Sequence, residues 1–177
     1  MKYIIPIFIL IFTLILFKRN DELLDGNPIH IRGIGNYKHT SLIKLKKILN
    51  EFYDIPVIID KPLDVYYEYG GIDGQKTIEK YDSGENTILI TNDKLYSSYS
   101  GKRVGGLAEY LGNIIIIVDD NYPNLKRVVI HEIGHTRGLE HCDDSHCYMS
   151  INRNDDEILY LCKKCQKMSK INSFFNI

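Results

Sequence analysis

The sequence predicts a mixed α/β (α+β) domain, a twisted mixed β-sheet with flanking helices. Three observations predict it. Short runs rich in β-branched residues recur at 29–34, 55–59, 87–91 and 113–118. Between the first two, apolar residues fall at the spacing of an amphipathic helix. After the last run comes a longer helical pattern, over 121–138. Strand, helix, strand and further strands ahead of a final helix make a layered α/β arrangement.

Residues 29–34 alternate and read as the first strand. Over 40–52, Leu42, Leu45, Ile48, Leu49 and Phe52 form one stripe, with Lys44, Lys46 and Lys47 off it. Thr40 or Ser41 is the expected cap. Residues 55–59 read as a short strand. Residues 60–86 are the least readable stretch; Tyr66, Tyr67 and Tyr69 are expected on a half-buried strand face, ahead of a turn at Gly70 and Gly71. Residues 87–91 are a strand, 96–103 a loop and 104–110 a short edge strand. The continuous apolar run at 113–118 marks a central strand buried on both faces. In the helix over 121–138, Pro123 stands near the first turn, and Leu125, Val128, Val129 and Ile133 face inward.

The chain has 177 residues, enough for one domain with a real core. Its formal net charge of −1 gives no nucleic-acid footprint. Residues 1–17 stand apart. An almost unbroken apolar run from Tyr3 to Phe17 is closed by Lys18 and Arg19. As a helix, it would reach roughly 22 Å, short of a ~30 Å hydrocarbon core. It fits a signal peptide or a short signal anchor, and the lack of a small-residue cleavage site favours the anchor. Residues 18–28 are a polar linker and 29–177 the domain. A membrane-anchored or exported protein is therefore expected, with the N-terminal segment meeting the membrane, and a monomer.

The chemistry lies in His131-Glu132-Ile133-Gly134-His135-Thr136-Arg137-Gly138-Leu139-Glu140-His141. Residues four apart on a helix differ by about 40° around the axis and ~6 Å along it, so His131 and His135 can chelate one ion. A catalytic zinc wants three protein ligands and one open position. Glu132 follows the first ligand, where its carboxylate can take a proton from water whose pKa a zinc ion lowers to about 7. His141 cannot reach the same ion from a continuing helix. Gly138 allows the left-handed turn that ends the helix and brings His141 back. The bare H-E-x-x-H motif is common; adding Gly138 and His141 makes it specific. Metal-assisted hydrolysis is the implied chemistry.

All four cysteines, Cys142, Cys147, Cys162 and Cys165, lie within a short C-terminal stretch. That clustering suits one local metal site or two small disulfide loops, and the C-x-x-C pair could be redox-active. His146 beside Cys147 reads as a loop residue that could stand in as a ligand; His30 and His39 read as surface histidines. Lys163, Lys164, Lys167 and Lys170 form a small basic face on a C-terminal helix.

Taken together, H-E-x-x-H-x-x-G-x-x-H-C, then Cys147, Met149 and C-x-x-C, resembles the archaemetzincins. These are metzincin-type zinc peptidases with a second zinc on four cysteines. The resemblance spans roughly residues 29–167, with its specific signal in 131–165. It implies a metzincin-like zincin with an active-site helix, a small zinc-stapled C-terminal lobe and a cleft between the lobes. It implies two zinc ions per chain: a catalytic one on His131, His135 and His141 with Glu132 as general base, and a structural one on Cys142, Cys147, Cys162 and Cys165. Met149 would form the apolar floor under the metal, and a peptide or protein would be the substrate. The spacer from Ser150 to Leu161 is shorter than is usual in the family, and no tyrosine stands two residues after Met149. An extended substrate is expected to pair with the edge strand near 104–110. The alternative function is a catalytically silent zinc-binding interaction protein that keeps the fold.

Overall fold

Successive side chains of a strand point to opposite faces. Here that alternation divides the isoleucine-rich runs between two cores, one on each face of a single sheet. The computed structural model describes residues 27–53, 55–68, 70–119, 125–152 and 160–168. In chain order its elements are β1 (Ile29–Gly33), α1 (His39–Phe52), β2 (Val57–Ile59), β3 (Tyr67–Glu68), β4 (Gly71–Asp73), α2 (Gly74–Tyr81), β5 (Thr87–Thr91), β6 (Leu95–Tyr96), β7 (Arg103–Val104), β8 (Gly106–Ala108), β9 (Ile114–Val118), α3 (Leu125–Thr136) and α4 (Lys163–Met168).

The main sheet has the order β2-β1-β5-β9-β8. Its first four strands are parallel, and β8 closes one edge antiparallel to β9. Ile31, Ile88, Ile90, Ile115 and Ile117 point to the face covered by α1 and α3, where Leu45, Leu49, Val129 and Ile133 meet them. Leu89, Ile114, Ile116 and Val118 point to the other face, against Ile78 of α2 and Ile72 and Leu95 of the smaller sheet β3-β4-β6-β7. Every residue of β5 and β9 is buried, as a strand covered on both faces requires.

The helical stripe of α1 is as expected, with Leu42, Leu45 and Leu49 buried. Its cap is not. Lys38 holds the N-cap position without a side-chain hydrogen bond, so neither Thr40 nor Ser41 caps the helix. Residues 60–86 hold an unpredicted helix, α2, capped by Asp73, whose carboxylate accepts from the Lys76 N–H at 3.1 Å. Tyr66 and Tyr67 are exposed rather than half-buried, because β3 is a two-residue edge strand. The expected loop over 96–103 is a hairpin between β6 and β7. The expected edge strand over 104–110 splits at Gly105, β7 joining the small sheet and β8 the large one. The helix expected over 121–138 is observed from Leu125 to Thr136. Tyr69, Pro123, Lys170 and the apolar segment 1–17 lie outside the described residues; among those described, no helix is long and apolar enough to cross a membrane.

Leu45 is fully buried between α1 and the sheet. Leu45→Ala is expected to cost about 2–5 kcal/mol, read as a lower urea midpoint at unchanged slope.

Candidate active site

Helix α3 lies with Leu125, Val128, Val129 and Ile133 in the core, which turns its C-terminal half toward the chain segment beyond it. The helix ends in a Schellman turn. The Leu139 N–H donates to the Gly134 carbonyl and the Gly138 N–H to the His135 carbonyl, both at 3.0 Å. Gly138 has a φ of 72°, the left-handed conformation expected of it. The chain thereby reverses, and His131, His135 and His141 converge, one nitrogen of each lying within 4.8 Å of the others.

The ring orientations are fixed from behind. Nδ1 of His131 donates to the Tyr148 carbonyl and Nδ1 of His135 to the Leu139 carbonyl, each at 2.8 Å. A carbonyl can only accept, so Nδ1 carries the proton in both rings and Nε2 presents its lone pair. The two Nε2 atoms lie 3.1 Å apart. Two acceptors that close repel each other unless a cation sits between them. For tetrahedral zinc with Zn–N bonds of ~2.0–2.1 Å, the nitrogens would stand about 3.3 Å apart. Burial pushes His131 down to about 4 and also lowers His135, so both stay neutral and ready to ligate.

Glu132 is buried, and burial raises its carboxyl to about 8. Edge strand β8 passes over it: a Cβ on Gly106 would come within 2.6 Å of Oε1. Only glycine lets the strand and the carboxylate share that space.

Beyond His141 the four cysteines form a second group, each with its sulfur within 4.8 Å of the others. All four are buried free thiols. Cys142 and Cys162 Sγ are 3.6 Å apart, far beyond a disulfide bond of ~2.05 Å and close to the roughly 3.8 Å edge of a zinc tetrathiolate. The geometry therefore fits a metal site and not two disulfide loops. Burial pushes Cys147 up to about 11 and Cys165 also upward. Cys162 goes down: burial works against this, but hydrogen bonds from the Cys165 N–H and neighbouring thiols outweigh it. His146 stacks on Tyr160 and lies outside this group. His39 is exposed, whereas His30 is half-buried with Nδ1 on Asp60 at 2.8 Å.

Residues 75–171 match the family model of peptidase family M54. The chain belongs to that family. Among its relatives, the archaemetzincin of Haloarcula marismortui is 40% identical over 153 residues, covering 67% of this chain and 86% of that protein. The archaemetzincin of Halobacterium salinarum is 29% identical over 150 residues, with the same coverage. The crystal structure of archaemetzincin from Archaeoglobus fulgidus superposes with a TM-score of 0.67 at 21% identity, covering 80% of this chain and 99% of that one. The fold is thus that of the archaemetzincins, and the chain is a zinc metallopeptidase of their family.

Two residues that hold this M54 site together escaped sequence reasoning. Arg127 is buried one turn before His131 and donates through Nη2 to the Ser150 carbonyl at 3.0 Å, tying the helix to the segment after Met149. Its signal was a charge on an otherwise apolar helix face. Gly134 is the other. A Cβ there would collide with the sulfur of Met149, which is fully buried beneath the helix. Its signal was a glycine inside a helix, which costs about 1 kcal/mol against alanine and so needs a packing reason.

Gly134→Ala is expected to destabilise the chain through about 1–3 kcal/mol of overpacking, despite its better helix propensity. In a Met149→Ala background the same change should become neutral or stabilising. Thermal melts of the four chains of this cycle read the sign reversal.

Proposed function

We propose that this chain hydrolyses peptide bonds, with His131, His135 and His141 holding a catalytic zinc, Glu132 acting as general base, and Cys142, Cys147, Cys162 and Cys165 holding a second, structural zinc. The observation that carries the proposal is the approach of two acceptor nitrogens to 3.1 Å, each backed by a carbonyl on its other ring nitrogen. A zinc ion, when bound, supplies a Lewis acid that polarises the scissile carbonyl and makes water acidic.

The remaining steps belong to the chain. Glu132 takes the proton of the attacking water and returns it to the leaving amine. Its burial strengthens it as a proton acceptor, and a neighbouring cation favours the ionised form that starts the cycle. Among the described residues β8 is the outermost strand of the large sheet and passes above Glu132, where an extended peptide can add as a further strand. Met149 under Gly134 and the Arg127 contact to Ser150 hold the floor in place. The four thiols close the C-terminal segment immediately after His141 and so steady that ligand. The apolar run 3–17 suits a tether to a membrane or a signal for export, with the monomeric domain beyond it.

Glu132→Gln is expected to keep two zinc ions per chain and to lose peptide hydrolysis by about 10²–10⁴-fold. Metal analysis beside a peptide-cleavage assay reads both; unchanged hydrolysis would remove Glu132 from the role of base. A zinc-loaded wild-type chain that cleaves no peptide would return the silent binding protein instead.

Zinc content should fall from two to one in either His141→Ala or Cys162→Ser. Only the second should lower the melting temperature strongly, because a structural site contributes folding energy directly. Equal melting temperatures for the two variants would contradict a structural thiol site.

A further inference from the structure

Strand β8 and the loop after it follow the C-terminal half of the metal-site helix and the turn that ends it. Gly106 lies over Glu132. Five residues on, the Leu111 N–H donates to the His135 carbonyl at 3.2 Å. Tyr110 Oη donates to the Gly138 carbonyl at 2.9 Å. Both residues are thus pinned to the turn that carries the second and third histidines. Both side chains nonetheless face solvent, Tyr110 at 52% exposure and Leu111 at 54%.

Leu111 also has a φ of 58°, the left-handed region. A leucine there strains its backbone, which glycine or asparagine would not do. Its Cδ2 reaches the turn itself, 2.6 Å from where a Cβ on Gly138 would stand. Burial does not explain the leucine, since more than half of it is open. Turn chemistry does not explain it either, since it is the wrong residue for the conformation. Strain kept beside a reactive centre points to a role there.

We propose that Tyr110 and Leu111 form an apolar subsite that receives an apolar side chain of the peptide substrate, at a position flanking the scissile bond. The subsite rests on the zinc-peptidase assignment of the adjoining histidines and Glu132. A peptide laid along β8 over Glu132 meets this pair where the strand ends. There the tyrosine ring and the leucine side chain supply the contact surface, and the backbone bonds to His135 and Gly138 hold it rigid. An apolar contact surface of this kind discriminates by the area it buries.

The test uses the full-length, zinc-loaded chain and a peptide set with Leu, Phe or Asn at each position within two residues of the scissile bond. Wild type is expected to prefer Leu or Phe over Asn at one of those positions. In Leu111→Gly and in Leu111→Asn, both of which suit the left-handed backbone and keep the N–H, the ratio of kcat/KM for apolar over polar peptides should fall about tenfold or more at that position. Zinc content should stay at two, and the melting temperature of Leu111→Gly should match or exceed that of wild type. An unchanged ratio in both variants overturns the subsite while leaving the peptidase assignment intact. A clear drop in melting temperature for both variants overturns it too, by making Leu111 a structural residue. Absence of any cleavage by wild type overturns the hydrolase assignment and the subsite with it.

Discussion

The left-handed turn at Gly138 is the constraint on which the rest of the site depends. It stops α3 just after His131 and His135 have been placed on the same side. It puts the Leu139 carbonyl where His135 Nδ1 can reach it. It sends His141 back toward the other two histidines and delivers Cys142, the next residue, into the thiol group. A side chain with a Cβ resists that conformation, so one glycine links the helix, the ligand set and the C-terminal lobe.

The two candidate metal groups are mechanically joined. Cys142 donates its N–H to the Met149 carbonyl, and Met149 lies against Gly134 of the helix. The Tyr148 carbonyl, one residue earlier, orients His131. The Tyr148 ring rests edge-on against Phe52 at the end of α1. Imidazole orientation therefore draws on the hydrophobic core on one side and the thiol group on the other. Such outer contacts set how well a ligand is aimed, because a histidine rotates freely about its own bonds unless its second nitrogen is held.

Burial has opposite consequences in the two halves of the site. It keeps His131 and His135 neutral, which suits a metal ligand, and raises the proton affinity of Glu132, which suits a base. It also raises Cys147 and Cys165 while Cys162 is lowered by its hydrogen bonds. A cation that binds these thiols must displace their protons, so occupancy of the site rises with pH. The edge strand keeps water from Glu132 on one side, and it can do so at close range because residue 106 has no side chain.

Sequence was sufficient wherever a pattern is local. The stripe of α1, the doubly buried strands β5 and β9, the ligand spacing of α3 and the clustered cysteines all follow from periodicities of a few residues. It failed where an element is too short to show a period. β3, β6 and β7 span two residues each, and α2 is a polar eight-residue helix with two buried side chains facing the sheet besides its first glycine. It also failed where a residue's reason lies far along the chain. Arg127 answers to Ser150, Gly106 to Glu132 and Leu111 to His135 and Gly138. By itself, then, the sequence pointed to the family, the fold class and the two groups of candidate ligands, the histidines through their spacing on a helix and around a turn and the cysteines through the family resemblance. Only the tertiary structure decided which carbonyls orient the histidines, what lies beneath and above the helix, and that four thiols meet at metal-ligand distance, because those contacts form only when segments remote in sequence are packed together.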